Sequence, residues 1–247
     1  MTKLVGILNI TPNSFSDGGL YYDAKSALTH AKSLFDDGAT FIDVGAEATN
    51  PKAEPITDQV EWKRLEPILR SLLAEYPGRI SLDSYHPLTI RRAFDIGPVI
   101  VNDVTGLNNP RMVETVLKIK PKIIVSHLRG MNIRQAHSSE LISDIMTVKN
   151  DLLEKATLLL QDGFNIDQII LDPGIGFGKT PELNRELLSF ARLVKDYSVM
   201  IGYSRKRFLG EYRMDLETNL EAGKIAIANG AKYLRVHDVA GHMQLLN

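Results

Sequence analysis

Polar residues recur at the downstream ends of short apolar runs along this chain. Their types suit one flat ring rich in N–H groups and one phosphate. They are Asn9; Asp43 with Glu47; Asp83; Asn102 and Asp103; His127 with Arg129; Asp172; Ser204 to Lys206; and Arg235 with His237. Asp83, Asn102 and Asp172 offer carboxylate or carbonyl acceptors, and the asparagine adds donors. That set fits a planar heterocycle. Asn9, Arg235 and His237, with Ser and Asp residues of the first loop, fit a phosphate or diphosphate. Lys206 lies between the two roles. One polar residue at a strand end is ordinarily a capping group. Eight such ends in succession exceed what capping explains.

The stretch Ile169-Ile-Leu-Asp-Pro-Gly-Ile-Gly-Phe-Gly-Lys-Thr180 reads as a buried strand that leaves the core at Asp172. Its glycines let a flat ligand approach the backbone. Taken alone it is also an ordinary strand–loop–helix corner. Arg205-Lys-Arg207, taken alone, is a solvated basic turn. Its place after the seventh strand matters, because phosphate sites in barrels favour the loops after strands seven and eight. The histidines at 30, 86, 127, 137, 237 and 242 lack the pair spacing of a zinc motif. There is no Ser-His-Asp signature and no nucleophile elbow. Oxygen ligands beside a diphosphate point instead to Mg²⁺, held partly by the substrate.

These residues need a frame. Strands are predicted at residues 4–10, 41–45, 80–83, 99–104, 122–127, 169–172, 198–202 and 233–237. Helical patterns separate them. Asp23 is placed to cap a helix with Ala27, Ala31, Leu34 and Phe35 on its apolar face. Thr57 or Asp58 starts another, carrying Val60, Leu65, Ile68, Leu69 and Leu72, with Pro67 able to kink it. Pro87 opens a third helix, and residues 110–119 form a fourth. The longest helix is expected to run through Leu141, Ile145, Val148, Leu152, Ala156 and Leu159. Leu183, Leu187, Leu188 and Ala191 mark the next, and Leu220, Ala222, Ile225 and Ala228 the one after. The tail has room for a short final helix. Eight strand–helix repeats with continuous apolar strands predict a (β/α)₈ TIM barrel, a single α/β domain over residues 1–247. Its active site is expected at the C-terminal ends of the strands. A doubly wound sheet is the alternative, but its glycine fingerprint is missing after strand one.

Composition narrows the function classes. Of 247 residues, 44% are apolar and 24% charged, ample for a large core. Lys and Arg number 29 against 30 Asp and Glu, so no global field favours nucleic acid or an anionic membrane. The lack of cysteine excludes disulfides and thiolate metal sites. No window approaches the roughly 18–20 apolar residues of a membrane span. The start, Met1-Thr-Lys-Leu-Val5, enters a strand without a signal-peptide pattern. A cytoplasmic protein acting on small molecules, with no nucleic-acid or membrane partner, is the expectation.

Six segments carry a resemblance: residues 6–19, 81–85, 101–106, 171–180, 202–210 and 235–239. They read GILNITPNSFSDGG, SLDSY, VNDVTG, LDPGIGFGKT, GYSRKRFLG and RVHDV. In that order they resemble the signatures of dihydropteroate synthases across nearly the whole chain. The resemblance implies a folate-pathway transferase on a (β/α)₈ barrel. It would join 6-hydroxymethyl-7,8-dihydropterin diphosphate to p-aminobenzoate, giving pyrophosphate and 7,8-dihydropteroate. Carried over, Asp83, Asn102, Asp172 and Lys206 become pterin contacts. Asn9 with Mg²⁺, and Arg235 with His237, become the diphosphate site. Gly176 and Phe177 would wall the p-aminobenzoate site, Ser204 would meet its carboxylate, and Gly202, Thr49 and Pro51 would also touch substrate. Asp83, Lys206, Phe15 and Asp17 would be catalytic, with the loops at 11–19 and 47–56 closing over the site. The resemblance also implies a homodimer.

Two loops depart from the family pattern. Residues 11–14 read Thr-Pro-Asn-Ser where Thr-Pro-Asp-Ser is usual, and Asn50 stands where an arginine is expected near the anion. Losing that charge should weaken diphosphate binding unless Lys52 substitutes. The second loop and residues 81–85 resemble the branch containing mobile sulfonamide-resistance enzymes. The unbroken Gly176-Phe-Gly-Lys179 is similar to the ordinary enzyme.

Overall fold

The apolar runs are short, and both faces of each must be covered. The computed structural model, which describes residues 1–10, 24–47, 54–130 and 140–246, meets this demand by closing the runs into a ring. The strands are β1 (Lys3–Asn9), β2 (Phe41–Gly45), β3 (Ile80–Asp83), β4 (Ile100–Asp103), β5 (Ile123–Ser126), β6 (Ile169–Asp172), β7 (Ser198–Ile201) and β8 (Tyr233–Val236). All pairs are parallel, and β8 returns to β1 with Arg235 opposite Val5. The helices are α1 (Ala24–Asp36), α2 (Asp58–Glu75), α3 (Pro87–Ile96), α4 (Pro110–Ile119), α5 (Ile145–Gln161), α6 (Pro181–Glu186), α7 (Leu216–Ala228) and α8 (Val239–His242). The expected (β/α)₈ barrel is the fold.

Side chains alternate across each strand, so every strand has an outer and an inner set. Leu8, Val44, Leu82, Val101, Val125 and Leu171 belong to the main core with helix residues such as Ala31, Leu69, Ile90 and Leu152. The inner set begins with a separate apolar cluster of Val5, Phe41, Ile100, Ile124, Ile170, Met200 and Tyr233. This cluster is the barrel floor, and each such side chain contributes roughly 1.5–3 kcal/mol by burial. Two residues further along the same strands, the inward positions become polar: Asp43, Asn102, Asp172 and Arg235. The floor therefore sets the phase that aims these groups into the barrel.

Local signals account for most helix boundaries. Thr57 caps α2, accepting from Val60 N, and Asp144 caps α5, accepting from Met146 N and Thr147 N. Asp23, the expected cap of α1, lies outside the described residues. Three expectations need correction. The segment at Leu141 is not helical: Ile142 exchanges backbone hydrogen bonds with the loop after β6, donating to Gly178 O and accepting from Thr180 N. Helix α5 consequently has 17 residues and α2 has 18, making α2 the longest among the described residues. Val60 and Ile225 face solvent, while Glu61 and Ala226 take the buried positions beside them. Helix α2 runs on through Pro67.

Gly174 and Gly78 both have positive φ, at 65° and 74°. A Cβ at Gly174 would lie 2.1 Å from the carbonyl oxygen of His127, whereas one at Gly78 would meet nothing within 4 Å. We expect Gly78→Ala to cost about 1 kcal/mol from backbone strain alone. Gly174→Ala should cost at least about 2 kcal/mol more. Urea unfolding of the two variants checks the difference.

Candidate active site

The polar layer above the floor is built around Asp43, which is fully buried. Its Oδ1 accepts from Ser81 Oγ at 2.6 Å, and its Oδ2 accepts from Asn102 Nδ2 at 2.9 Å and Arg235 Nε at 2.7 Å. Arg235 also donates from Nη2 to Asp83 Oδ2 at 3.1 Å. One guanidinium thus joins carboxylates on β2 and β3. Burial opposes charge on Arg235, but Asp43 and Asp83 reverse the effect and raise its pKa. Burial and the nearby Asp43 carboxylate push Asp83 up to about 7, with Arg235 pulling the other way. The bond from Asn102 Nδ2 to Asp43 leaves Asn102 Oδ1 buried and without a partner among the described residues. It is an acceptor ready for a ligand N–H.

Across the mouth, Asp172 accepts from Gly174 N at 2.8 Å, and burial raises its pKa against the pull of Lys206. Lys206 donates to Ile175 O and lies 5.0 Å from the centre of the Phe177 ring. Burial lowers its pKa to about 8, with Asp172 resisting the shift. Phe177 packs with Tyr85 against Val104 and Leu128, an apolar wall beside the charged groups. Gly202 lies between Asp172 and Arg235: a Cβ there would make ordinary contact, 3.8 Å from atoms of both.

Ser204 and His237 meet at the ends of β7 and β8, with Ser204 Oγ 3.0 Å from His237 Nδ1. Burial, Arg205 and Arg235 drive His237 down to about 3, so the ring is neutral at pH 7. Between Ser204 and Lys206, Arg205 holds a left-handed φ of 61°, and its N–H donates to Asn219 Oδ1. That strain, of order 1–3 kcal/mol, sits where the turn presents Ser204 and Lys206. Asn9 is exposed at the end of β1, in register with Gly45.

Asp83, Asn102, Asp172, Gly176, Phe177, Gly202, Ser204, Lys206, Arg235 and His237 therefore share one mouth. The remaining site expectations, Phe15, Asp17, Thr49 and Pro51, lie outside the described residues, as does Asn50. Two strand-end residues have the bland role instead. Asp103 accepts from Thr105 N, Thr105 Oγ1 and Leu107 N and so folds its own turn. His127 pairs with Asp151 at 3.1 Å, and burial lowers it to about 4.

Sequence reasoning noted Asp43 but gave it no place in the site. It also missed a cluster at the rim. Glu47 accepts from Tyr85 OH and pairs with His86 Nε2 at 3.0 Å, while Ser84 Oγ donates to Glu61. Ligand-type atoms of Glu47, Glu61 and His86 lie within 4.8 Å of one another, donor types that suit a cation. Burial works against charge on His86, but Glu47 and Glu61 raise its pKa.

A parallel barrel with acceptors, a lysine and a guanidinium converging on its mouth defines an enzyme for a small, flat, polar ligand. The comparisons give the class more narrowly. The sequence matches the family described as "Pterin binding enzyme" over residues 5–237. It is 35% identical to the dihydropteroate synthase of Bacillus subtilis (strain 168), over 96% of this chain and 84% of that relative. The structure resembles the dihydropteroate synthase of Xanthomonas albilineans with 4-aminobenzoic acid, at TM-score 0.86 and 30% identity, covering 99% of this chain and 90% of that one. It likewise resembles the enzyme from Anaplasma phagocytophilum with bound 6-hydroxymethylpterin-monophosphate, at TM-score 0.84 and 29% identity, covering 100% and 99%. The chain belongs to the dihydropteroate synthase family of pterin binding enzymes.

The two carboxylates around Arg235 should respond differently to neutralisation. Asp43→Asn leaves buried donors short of acceptors and should cost about 3 kcal/mol. Asp83 has a raised pKa, so its stabilising contribution is greatest below its unfolded pKa and is lost as pH rises through about 7. Asp83→Asn should therefore gain stability relative to the native chain between pH 5 and 8. Denaturant unfolding across that range measures both.

Proposed function

We propose that the protein is a folate-pathway transferase that joins 6-hydroxymethyl-7,8-dihydropterin diphosphate to p-aminobenzoate. The products are 7,8-dihydropteroate and pyrophosphate. The observation that carries this reading is the convergence of Asp83, Asn102 Oδ1, Asp172 and Lys206 on one mouth. In it, the three acceptors take ring N–H groups and the ammonium of Lys206 takes a ring acceptor. Arg235 and His237 lie on the diphosphate side. The C–O bond to diphosphate breaks first, and the Arg235 guanidinium, with neutral His237 as a polar neighbour, stabilises the departing anion. The methylene cation left behind spreads its charge into the dihydropterin ring, held beside Asp83 and Asp172. The amine of p-aminobenzoate attacks that carbon, the new C–N bond forms, and the nitrogen loses a proton. Positioning carries much of the rate, with Phe177 walling the amine and Ser204 placed for its carboxylate.

Mg²⁺ fits this site as a substrate-held ion. Asn9 is the described residue that would contribute an oxygen, with diphosphate and water supplying the rest. Bound there, the ion would neutralise charge on the leaving diphosphate. The loops carrying Phe15, Asp17, Thr49 and Pro51 are proposed to exclude water. We also read residues 1–247 as one domain, cytoplasmic and homodimeric; among the described residues no helix is long and apolar enough to cross a membrane.

Purified protein with Mg²⁺ and the pterin diphosphate should release pyrophosphate when p-aminobenzoate is added, with a product of the mass of dihydropteroate. Pterin binding without product would favour a reduced-pterin methyltransferase module or a non-catalytic paralogue. Lys206→Ala should lower kcat/KM by about 100-fold, the value of a lost charged hydrogen bond. Asp83 must be ionised to accept and Lys206 protonated to donate. With values of about 7 and about 8, kcat/KM for the pterin diphosphate should rise towards pH 7 and fall beyond pH 8.

A further inference from the structure

Among the described residues, Lys179 is a buried cation that the chemistry above leaves unused. It is 5% exposed. Its Nζ donates to Gly174 O at 2.9 Å, Phe177 O at 3.0 Å and His127 O at 3.1 Å. Those carbonyls use all three N–H bonds of the ammonium. Three carbonyl dipoles around one enclosed charge resemble the surroundings of a bound monovalent cation, supplied here by the chain itself.

The caged carbonyls have a particular placement. Gly174 and Phe177 bracket Ile175 and Gly176, so one ammonium pins both ends of the segment that faces the mouth. The third carbonyl ties that segment to the end of β5. On the opposite side, Ile175 O accepts from Lys206, and the Phe177 ring lies under the same ammonium. The segment is therefore clasped between a lysine beneath it and a lysine in the site. Without the lower cation, the three carbonyls lose the donor they share, and Gly174 O keeps the Phe177 N–H at 3.2 Å. Withdrawing a charged donor from buried carbonyls is costly. The outer path of the loop has separate support, since Asn184 accepts from Gly176 N and donates to Lys179 O. The strain of losing the cation would fall on the inner segment.

We propose that Lys179 is a positioning residue whose ammonium acts as an internal cation, shaping residues 174–177 so that Phe177 is placed against the aromatic amine. The proposal rests on the synthase reading for the identity of that amine. Asp83 and Asn102, the pterin acceptors on the far wall, do not hydrogen-bond Lys179. Asp172 and Lys206 hydrogen-bond the segment through Gly174 N and Ile175 O, whereas Phe177 O accepts from Lys179 directly, so the larger effect falls on the second substrate. Burial lowers Lys179 to about 7, against the pull of Asp172, so the ammonium form is best tested on the acid side of neutrality.

The test is calorimetry at pH 6.5 with two probes. One is 6-hydroxymethylpterin; the other is p-aminobenzoate titrated into protein loaded with that pterin and pyrophosphate. Lys179→Met should weaken p-aminobenzoate by about tenfold or more and the pterin by less than about threefold, an unequal loss that general destabilisation would not give. In Lys179→Ala, ammonium chloride should restore p-aminobenzoate affinity by at least about threefold where sodium chloride at equal ionic strength does not. Equal weakening of both ligands, no weakening, or identical effects of the two salts would overturn the proposal. If Lys179→Met does not fold, Lys179→Gln, which keeps a donor without the charge, is judged by the same two constants. Binding is read whether or not the native chain turns over, so absent turnover counts against the synthase reading alone. Failure of the native chain to bind either probe overturns both.

Discussion

The structure depends on enclosing the Asp43 carboxylate inside the barrel with a full set of donors. A carboxylate with no exposure needs full compensation, because an unpaired buried charge costs several kcal/mol. Ser81, Asn102 and Arg235 supply it, from β3, β4 and β8. Arg235 lies 192 residues from Asp43, and only a closed ring places both in one interior. Barrel closure and charge pairing are therefore one constraint. The apolar floor beneath, with Phe41 and Tyr233 in edge contact, fixes the inward phase of the strands that carry the pair.

That pairing also sets the character of the mouth. With Arg235 shared between two carboxylates, Asp83 is held close to its ionisation point at neutral pH. Asn102 is oriented by its donor to Asp43, so its oxygen is left without a hydrogen-bond partner among the described residues. Lys206 is desolvated but held by Ile175 O and the nearby Asp172. These groups are poised before substrate arrives, and little reorganisation is needed when charge develops on a departing diphosphate.

Much of this was legible in the sequence because a parallel barrel gathers strand ends at one face. Asp83, Asn102, Asp172, Lys206, Arg235 and His237 all stand at such ends. The same rule overreached at Asp103 and His127: Asp103 folds its own turn, and His127 Nε2 is engaged by Asp151. Asp43 was visible but not interpretable: its role requires knowing that it points inward and that β8 lies close by. The rim cluster was hidden for a similar reason, since Glu47 and His86 are 39 residues apart and meet only through packing of β2 against β3. Leu141 carried a helical spacing, yet Ile142 pairs with the β6 loop, a tertiary contact that spacing cannot encode. Lys179 belonged to a recognised motif, but its three carbonyl partners appear only when the loop is folded around it.

The central claim is that the pterin ring is held by an ionised Asp83 whose proton is loosely bound in the empty site. The most direct measurement is the proton balance of binding 6-hydroxymethyl-7,8-dihydropterin at pH 7, by calorimetry in buffers of different ionisation enthalpy. This ligand carries no diphosphate and leaves His237 unengaged. Net release of roughly half a proton is predicted as Asp83 gives up its share to accept a ring N–H. Proton uptake, or binding with no proton exchanged, would contradict the account.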